Sequence, residues 1–352
     1  MISDTEGATC SLYSAEECER IAREAALRYV KNGTPGITRK RSGKGFAYYY
    51  PDGSLIKDKM VLTRIKSLAI PPAYQRVWIC PYANGHIQAT GYDARNRKQY
   101  RYHSLWQQER QKNKFQLMVY FGQAIPLIRA HIDEQLNKTL TLSKSQIICA
   151  IIYLMDNYYI RIGNTVYARE NKSYGLTTLR KKHIRLEKNK ATLKFIGKNA
   201  KPWHIVLKDR KILRVLKKCE EIPGYELFKY KDENNALNVI TSQEINAYLQ
   251  ALTNHSFTAK DFRTWAACRE TFKRLIMLEE LSENSSLKQV IADVSQLLGH
   301  TPAICLKSYI FGDIITCWQE GMLQLWIEEI RRKKENYDDD QLLLLWLQQH
   351  LK

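Results

Sequence analysis

Six residues in the second half of the chain have the types and settings needed to break a phosphodiester by side-chain attack. They are Arg161, Lys198, Lys260, Arg263, His300 and Tyr309. That chemistry needs a nucleophile, positive charge on the phosphoryl oxygens, an acid for the departing alkoxide, and orientation. A tyrosine suits the first task when the step must reverse. Its phenol has a pKa of ~10, so the aryl phosphate ester leaves readily on the way back. The bond energy is kept, and no nucleotide is needed to rejoin the strand.

Tyr309 is the candidate nucleophile. It lies nine positions after His300 in Leu298-Gly299-His300-Thr301-Pro302, where Thr301-Pro302 reads as a helix N-cap with proline at the first helical position. The spacing predicts His300 just ahead of a helix and Tyr309 about two turns into it. A half-buried tyrosine on an ordinary surface helix has the same local pattern. Arg263 follows Lys260 by three in Thr258-Ala259-Lys260-Asp261-Phe262-Arg263, which places both in the first turn of a helix on one face. Arg263 can grip two phosphoryl oxygens at once; an exposed first-turn charge pair is the plainer reading. Arg161, between Ile160 and Ile162, is poorly placed for a solvated face, so a fixed partner is expected, with a core carboxylate as the alternative. Lys198 falls at a hairpin turn, Phe195-Ile196-Gly197-Lys198-Asn199, from which it could protonate a 5′ oxygen. Lysines are also common in exposed turns, and Lys194 and Lys201 lie close by.

The bulk composition agrees with a polyanionic partner. The formal net charge is +19 over 352 residues, while 44% hydrophobic content supplies a real core. No apolar run approaches a membrane span, the longest being Gln146 to Met155, and the acidic Ser3-Asp4-Thr5-Glu6 is unlike a secretory signal. The eight cysteines are scattered without CxxC or zinc spacing, so they read as reduced and structural. No Walker motif, HExxH or metal-spaced carboxylate pair occurs, and the expectation is neither metal nor cofactor.

The elements that position these residues fall into two textures. Ser14 to about Lys31 predicts a helix, opened by a Ser14/Glu17 capping box and closed by Asn32-Gly33. From Gly36 to Tyr102, short aromatic and β-branched runs broken by turns predict a small β-rich module. From about Leu105 the pattern is helical. Ser143 and Gln146 predict a capping box leading into an apolar helix through Asp156. Three short strands are expected near 183–186, 191–196 and 203–207. Helices then resume, one entered at Thr258 and running past Met277, and the segment after Tyr309 is helical up to an acidic break at Asp338-Asp339-Asp340. The predicted class is α+β: a β-rich domain over 1–104 and a mainly α-helical catalytic domain with a short β-hairpin sheet over 105–352.

Taken in order, Arg161, Lys198, Lys260/Arg263, His300 and Tyr309 resemble the catalytic set of the type IB DNA topoisomerases, in particular the compact poxvirus and bacterial branch. Tyr159-Ile160-Arg161-Ile162-Gly163 with Tyr174-Gly175-Leu176-Thr177-Thr178 resembles the family's first arginine segment, and Gly299-His300-Thr301-Pro302 with Tyr309 its nucleophile segment. Gly91-Tyr92-Asp93 through His103 is similar to the end of the N-terminal domain in bacterial members. The resemblance implies that Tyr309 attacks the scissile phosphate to leave a 3′-phosphotyrosyl end and a free 5′-hydroxyl. Arg161, Arg263 and His300 then hold the non-bridging oxygens, Lys198 protonates the 5′ oxygen, Lys260 assists, and Tyr167 contacts the DNA backbone. It also implies a monomeric clamp on double-stranded DNA that relaxes supercoils without ATP or metal. The expected location is cytoplasmic and DNA-associated, or the virion or host cytoplasm for a viral protein. Asn199, Asn164 and Val166 depart from the poxvirus pattern, where acidic or basic residues stand. A tyrosine recombinase is the runner-up, although it would carry His at the position of Lys260 and a helical N-terminal domain. A non-catalytic basic DNA-binding protein explains the charge but not the constellation.

Overall fold

The computed structural model describes residues 15–351 except 32, 95, 140, 279–283 and 334. Cys10, Ser14, Asn32 and the acidic segment Ser3 to Glu6, all used above, lie outside the described residues. The chain separates into two compact units, one ending at Lys114 and one running from Phe115 to Lys352.

The first unit opens with α1 (Ala15–Glu24). A five-stranded antiparallel sheet follows, made of β1 (Ile37–Ser42), β2 (Gly45–Tyr49), β3 (Gln75–Ile79), β4 (Ile87–Tyr92) and β5 (Lys98–Tyr102) in the order β2-β1-β3-β4-β5. One helix, α2 (Lys59–Ser67), interrupts the strands and was not legible in the β texture; Asp58 caps it by accepting the Met60 N–H. Ile65 from α2 packs into the sheet's core with Ile37, Ile56, Val77, Ile79 and Ala89. Helix α1 ends at Glu24, short of the expected Lys31. Ala26 turns left-handed (φ 54°), and the next residues pair with the segment before β4 instead. Arg28 bridges to Gly85, and the Val30 N–H donates to His86 Nδ1 at 3.0 Å. Tertiary pairing of this backbone outweighed its helical propensity.

The second unit takes most of α3 (Ser104–Asn137), which contains the division, and continues with α4 (Lys144–Tyr158) and α5 (Thr165–Asn171). The three-stranded sheet β6 (Ile184–Leu186), β7 (Ala191–Ile196) and β8 (Pro202–Leu207) comes next, with bounds close to those expected. Then follow α6 (Arg210–Glu221), an unanticipated hairpin β9 (Lys229–Lys231) and β10 (Leu237–Val239), and α7 (Ser242–Thr253). The last stretch comprises α8 (Ala259–Ile276), α9 (Asn284–Leu297), α10 (Pro302–Ser308), α11 (Gly312–Gln319), α12 (Met322–Arg332) and α13 (Asp339–His350). Helix α4 is the spine of this unit: Ile147 to Ile152, Leu154 and Met155 are all buried. The architecture is α+β, with strands concentrated in the first unit and helices in the second.

Two capping expectations need correction. Ser143 does cap α4, accepting the Gln146 N–H at 3.3 Å, but Gln146 does not complete a box. Its side-chain amide turns to the preceding loop, accepting from the Thr141 N–H and donating to the Thr139 carbonyl, because that loop has polar backbone to satisfy. The acidic run at 338–340 is no break. Asp338 and Gln341 form a reciprocal cap, and Asp339 and Asp340 lie in the first turn of α13, where helix dipole and N–H groups favour carboxylates. The seven described cysteines are all buried and none forms a disulfide.

Candidate active site

Arg161 is held by backbone rather than by a helix. Helix α4 stops because Tyr159 adopts a left-handed conformation (φ 57°), and the chain then leaves regular secondary structure through Ile160 and Arg161. The segment Gly175-Leu176-Thr177 grips it. Leu176 N–H donates to the Arg161 carbonyl at 2.8 Å, and both the Thr177 N–H and its hydroxyl donate to the Ile162 carbonyl. Gly175 packs so closely that a Cβ there would lie 2.6 Å from the Arg161 carbonyl oxygen. This explains why glycine and two threonines stand at 175, 177 and 178.

Arg263 projects from the start of the second turn of α8, whose entry is fixed by the Asp261 carboxylate accepting from both the N–H and the hydroxyl of Thr258. Its guanidinium donates to the Tyr159 and Leu298 carbonyls and, at 2.8 Å, to His300 Nε2. Arg161 Nη2 reaches the Gly299 carbonyl at 3.1 Å and lies 3.2 Å from His300 Nδ1. The imidazole thus sits between two guanidinium groups. Burial first, then Arg263, Arg161, Lys201 and Lys198, push its pKa down to about 3, so the ring is neutral at physiological pH. A neutral ring offers one lone pair, so it accepts from only one of the two guanidinium groups at a time. Burial and the neighbouring Arg161 charge lower Arg263 to about 9, against the pull of Tyr309. Burial also lowers Arg161, with Tyr309 and Tyr167 opposing.

Tyr309 completes the group. Its ring centroid is 4.1 Å from that of His300, and its phenol lies close enough to act on the Arg263 charge. It stands at the C-cap of α10, just past the helix, rather than within it. Ile310 and Phe311 dive into the core immediately afterwards and turn the chain towards α11, which leaves the tyrosine at a corner. Two donors in this group are buried and unpartnered: Arg161 Nη1 and Arg263 Nε. Each unmet donor costs about 1–3 kcal/mol, a cost that an arriving anion would relieve.

The hairpin reaches the same place. Lys198 lies in the turn between β7 and β8, exposed, and close enough for its charge to act on His300. Asn199 takes a left-handed conformation (φ 62°), which asparagine tolerates better than most residues. Asn164 likewise has a local task, capping α5 by accepting the Tyr167 N–H at 2.9 Å. Lys260 is exposed and one turn from Arg263; the face-sharing expected from spacing does not bring it into the contacts of His300. Sequence reasoning passed over Lys201, whose ammonium donates to the His300 carbonyl at 2.5 Å, and Trp203, which fills the space beside Gly197 and Gly299. The signal for Trp203 was the pair of glycines: a Cβ at either would meet its ring at under 3 Å.

A buried arginine, a half-buried one, a neutral imidazole and a phenol at a backbone corner can bind a phosphodiester and attack it. Two family models match the chain: the catalytic core of eukaryotic DNA topoisomerase I over residues 103–335, and the bacterial DNA topoisomerase IB N-terminal domain over residues 45–93. The chain is 32% identical over 302 residues to the DNA topoisomerase 1B of Acanthamoeba polyphaga mimivirus, covering 81% of this chain and 88% of that protein. It is 25% identical over 293 residues to the DNA topoisomerase 1B of Vaccinia virus (strain Copenhagen), covering 76% and 88%. The chain belongs to the type IB DNA topoisomerases, and its substrate is DNA. Among the described residues, no helix is long and apolar enough to cross a membrane.

Proposed function

We propose that this topoisomerase relaxes supercoiled duplex DNA by cutting one strand through Tyr309, letting the free 5′ end rotate, and resealing. The observation that carries the reading is the setting of Tyr309: against His300 and close to Arg263 and Arg161, each of which has an unpartnered donor. In the proposed step the Tyr309 phenol releases its proton to solvent and its oxygen bonds to phosphorus while the bond to the 5′ oxygen breaks. Arg161 and Arg263 carry the charge that develops on the non-bridging oxygens, and neutral His300 donates a further hydrogen bond to them. Lys198 supplies the proton to the leaving 5′ oxygen, so that a hydroxyl departs rather than an alkoxide. Religation runs the same atoms backwards and returns that proton to Lys198.

Arg263 is buried and Arg161 half-buried, a setting of lower dielectric than water where their charge counts for more. Lys260 assists near the phosphate, and Tyr167, whose charge contribution reaches Arg161, contacts the backbone. Residues 1–104 grip the duplex and residues 105–352 perform the chemistry, on a single duplex as a monomer, in a DNA-associated cytoplasmic setting. The test is relaxation of supercoiled plasmid with EDTA present and ATP absent. Full relaxation, with a covalent adduct mapped to Tyr309 in the 3′ linkage, is expected. Strict dependence of cleavage on a divalent ion, or efficient strand exchange between two duplex sites, would replace this reading with another.

A further inference from the structure

Helix α13 follows the span matched by the catalytic-core model (residues 103–335), yet it is core, not appendage. Leu343, Trp346 and Leu347 are fully buried. The helix carries Asp340 into a chain of charges that ends at the arginine site. Asp340 accepts from the Trp265 indole at 2.6 Å, from Arg129 at 2.7 Å and from Arg269 at 3.1 Å. Arg129 also clasps Asp156 in α4 through two nitrogens. Arg269 donates at 2.8 Å to the Tyr159 hydroxyl, which itself donates to Glu270, and Glu270 is paired with Arg274. Three carboxylates and three guanidinium groups therefore balance around one phenol. Burial alone would raise the Asp340 carboxyl, but Arg269, Arg129 and Trp265 outweigh it and hold it ionised below the usual range.

Tyr159 is where this network meets the chemistry. Its left-handed backbone ends α4 and sets the path to Arg161 two residues on, and its carbonyl accepts directly from Arg263. A hydroxyl fixed at one end and a carbonyl bonded at the other leave the residue little freedom. On the nucleophile side, Trp346 of α13 lies 6.1 Å, edge to face, from Phe311, two residues after Tyr309. One helix thus braces both the arginine hinge and the corner that carries the tyrosine.

We infer that Asp340, acting through Arg269 and the Tyr159 hydroxyl, is a positioning residue that fixes Arg161 and Arg263 for the transition state. The inference rests on the proposed cleavage reaction. Its readout is the rate of single-turnover cleavage, separate from DNA affinity. A misplacement of ~1 Å can cost on the order of 10²-fold in rate. Tyr159→Phe removes one oxygen and keeps the ring packing; it should slow cleavage about 10-fold while the Kd for DNA stays within about 2-fold. Asp340→Asn should slow it about 10- to 100-fold. Because the effect runs through Arg263, the double variant Tyr159→Phe/Arg263→Lys should be no more than about 2-fold slower than Arg263→Lys alone. A merely structural role predicts a lower Tm and rate losses that multiply. Wild-type rates in Tyr159→Phe, or multiplying losses in the double variant, overturn the inference while wild-type cleavage stands. Absence of any Tyr309 adduct in the wild type overturns the cleavage reading and this inference together.

Discussion

A set of tyrosine-stacked cations in the first unit and Arg263 in the second are handled in opposite ways. In the first, Arg28, Lys40, Arg76 and Lys98 are exposed and lie over the rings of Tyr82, Tyr49, Tyr92 and Tyr100, with Arg76 3.8 Å from its ring centroid. Water keeps these charges screened and alike. In the second, Arg263 is 5% exposed and ringed by carbonyls, an imidazole and a phenol. The difference is desolvation. An exposed cation attracts any phosphate nearby, at modest strength and with strong salt dependence. A buried one acts on a single position, and its removal leaves a prepared cavity without its charge. In the proposed reaction the exposed cations of the first unit would hold DNA, and the buried arginine of the second would discriminate a transition state from a ground state.

The largest effect should come from the buried side. Tyr309→Phe is expected to abolish the covalent adduct and plasmid relaxation while duplex binding persists. Arg263→Ala should lower the cleavage rate by about 10³–10⁵-fold, the range of arginines that stabilise phosphoryl transfer, with affinity little changed. An adduct surviving in Tyr309→Phe, mapped to another tyrosine, would break the comparison at its root.

Lys198 stands between the two behaviours, since it is exposed yet acts on the site. Lys198→Ala should slow cleavage by roughly 10²–10⁴-fold. A 5′-bridging sulfur needs little proton donation and should restore cleavage in Lys198→Ala but not in Arg263→Ala. Failure to rescue the lysine variant would assign Lys198 to phosphate binding alone.

A smaller effect is shared by both units and appears in stability. His86 and His183 are pushed down to about 4 and His300 to about 3, burial being the first cause in each. The folded chain keeps these rings neutral, whereas the unfolded chain protonates them below about pH 6.5. Stability is therefore complete above about pH 6.5 and lost as pH falls towards 4 and 3. At about pH 5 each histidine should cost on the order of 1–2 kcal/mol, read as a falling Tm. His86→Gln should flatten this dependence, and a Tm independent of pH between about 7.5 and 5 would contradict the burial argument.

The smallest effects belong to the exposed cations. Arg76→Ala or Lys40→Ala should weaken DNA binding several-fold at every sequence and reduce the log–log salt slope by about one for each phosphate left without its cation. Cleavage from the bound state should not change. A slope that stays put would remove that side chain from the DNA-holding surface.

Much of the site was legible in the chain because its local signals are strong. Thr301-Pro302 announced the start of α10 and Thr258 that of α8, so His300 and Arg263 were placed near helix starts before any fold was known, whereas Tyr309, expected two turns into its helix, proved to be at the C-cap. Gly197 marked the hairpin tip. These are short-range rules of capping and turn chemistry, carried by neighbouring residues. The sequence likewise determined the class, since alternating aromatic runs and helical periodicity separate the two units.

Only the tertiary structure decided what these residues touch. That Arg161 and Arg263 bracket one imidazole depends on bringing together residues 161, 263 and 300, and no local pattern encodes such a meeting. Lys201 looked like one more turn lysine until it reached the His300 carbonyl. Asp340 looked like part of an acidic break until its partners, Arg129, Trp265 and Arg269, came from two other helices. A charge costs little on a surface and much in a core, so its meaning is set by burial and by partners distant in sequence.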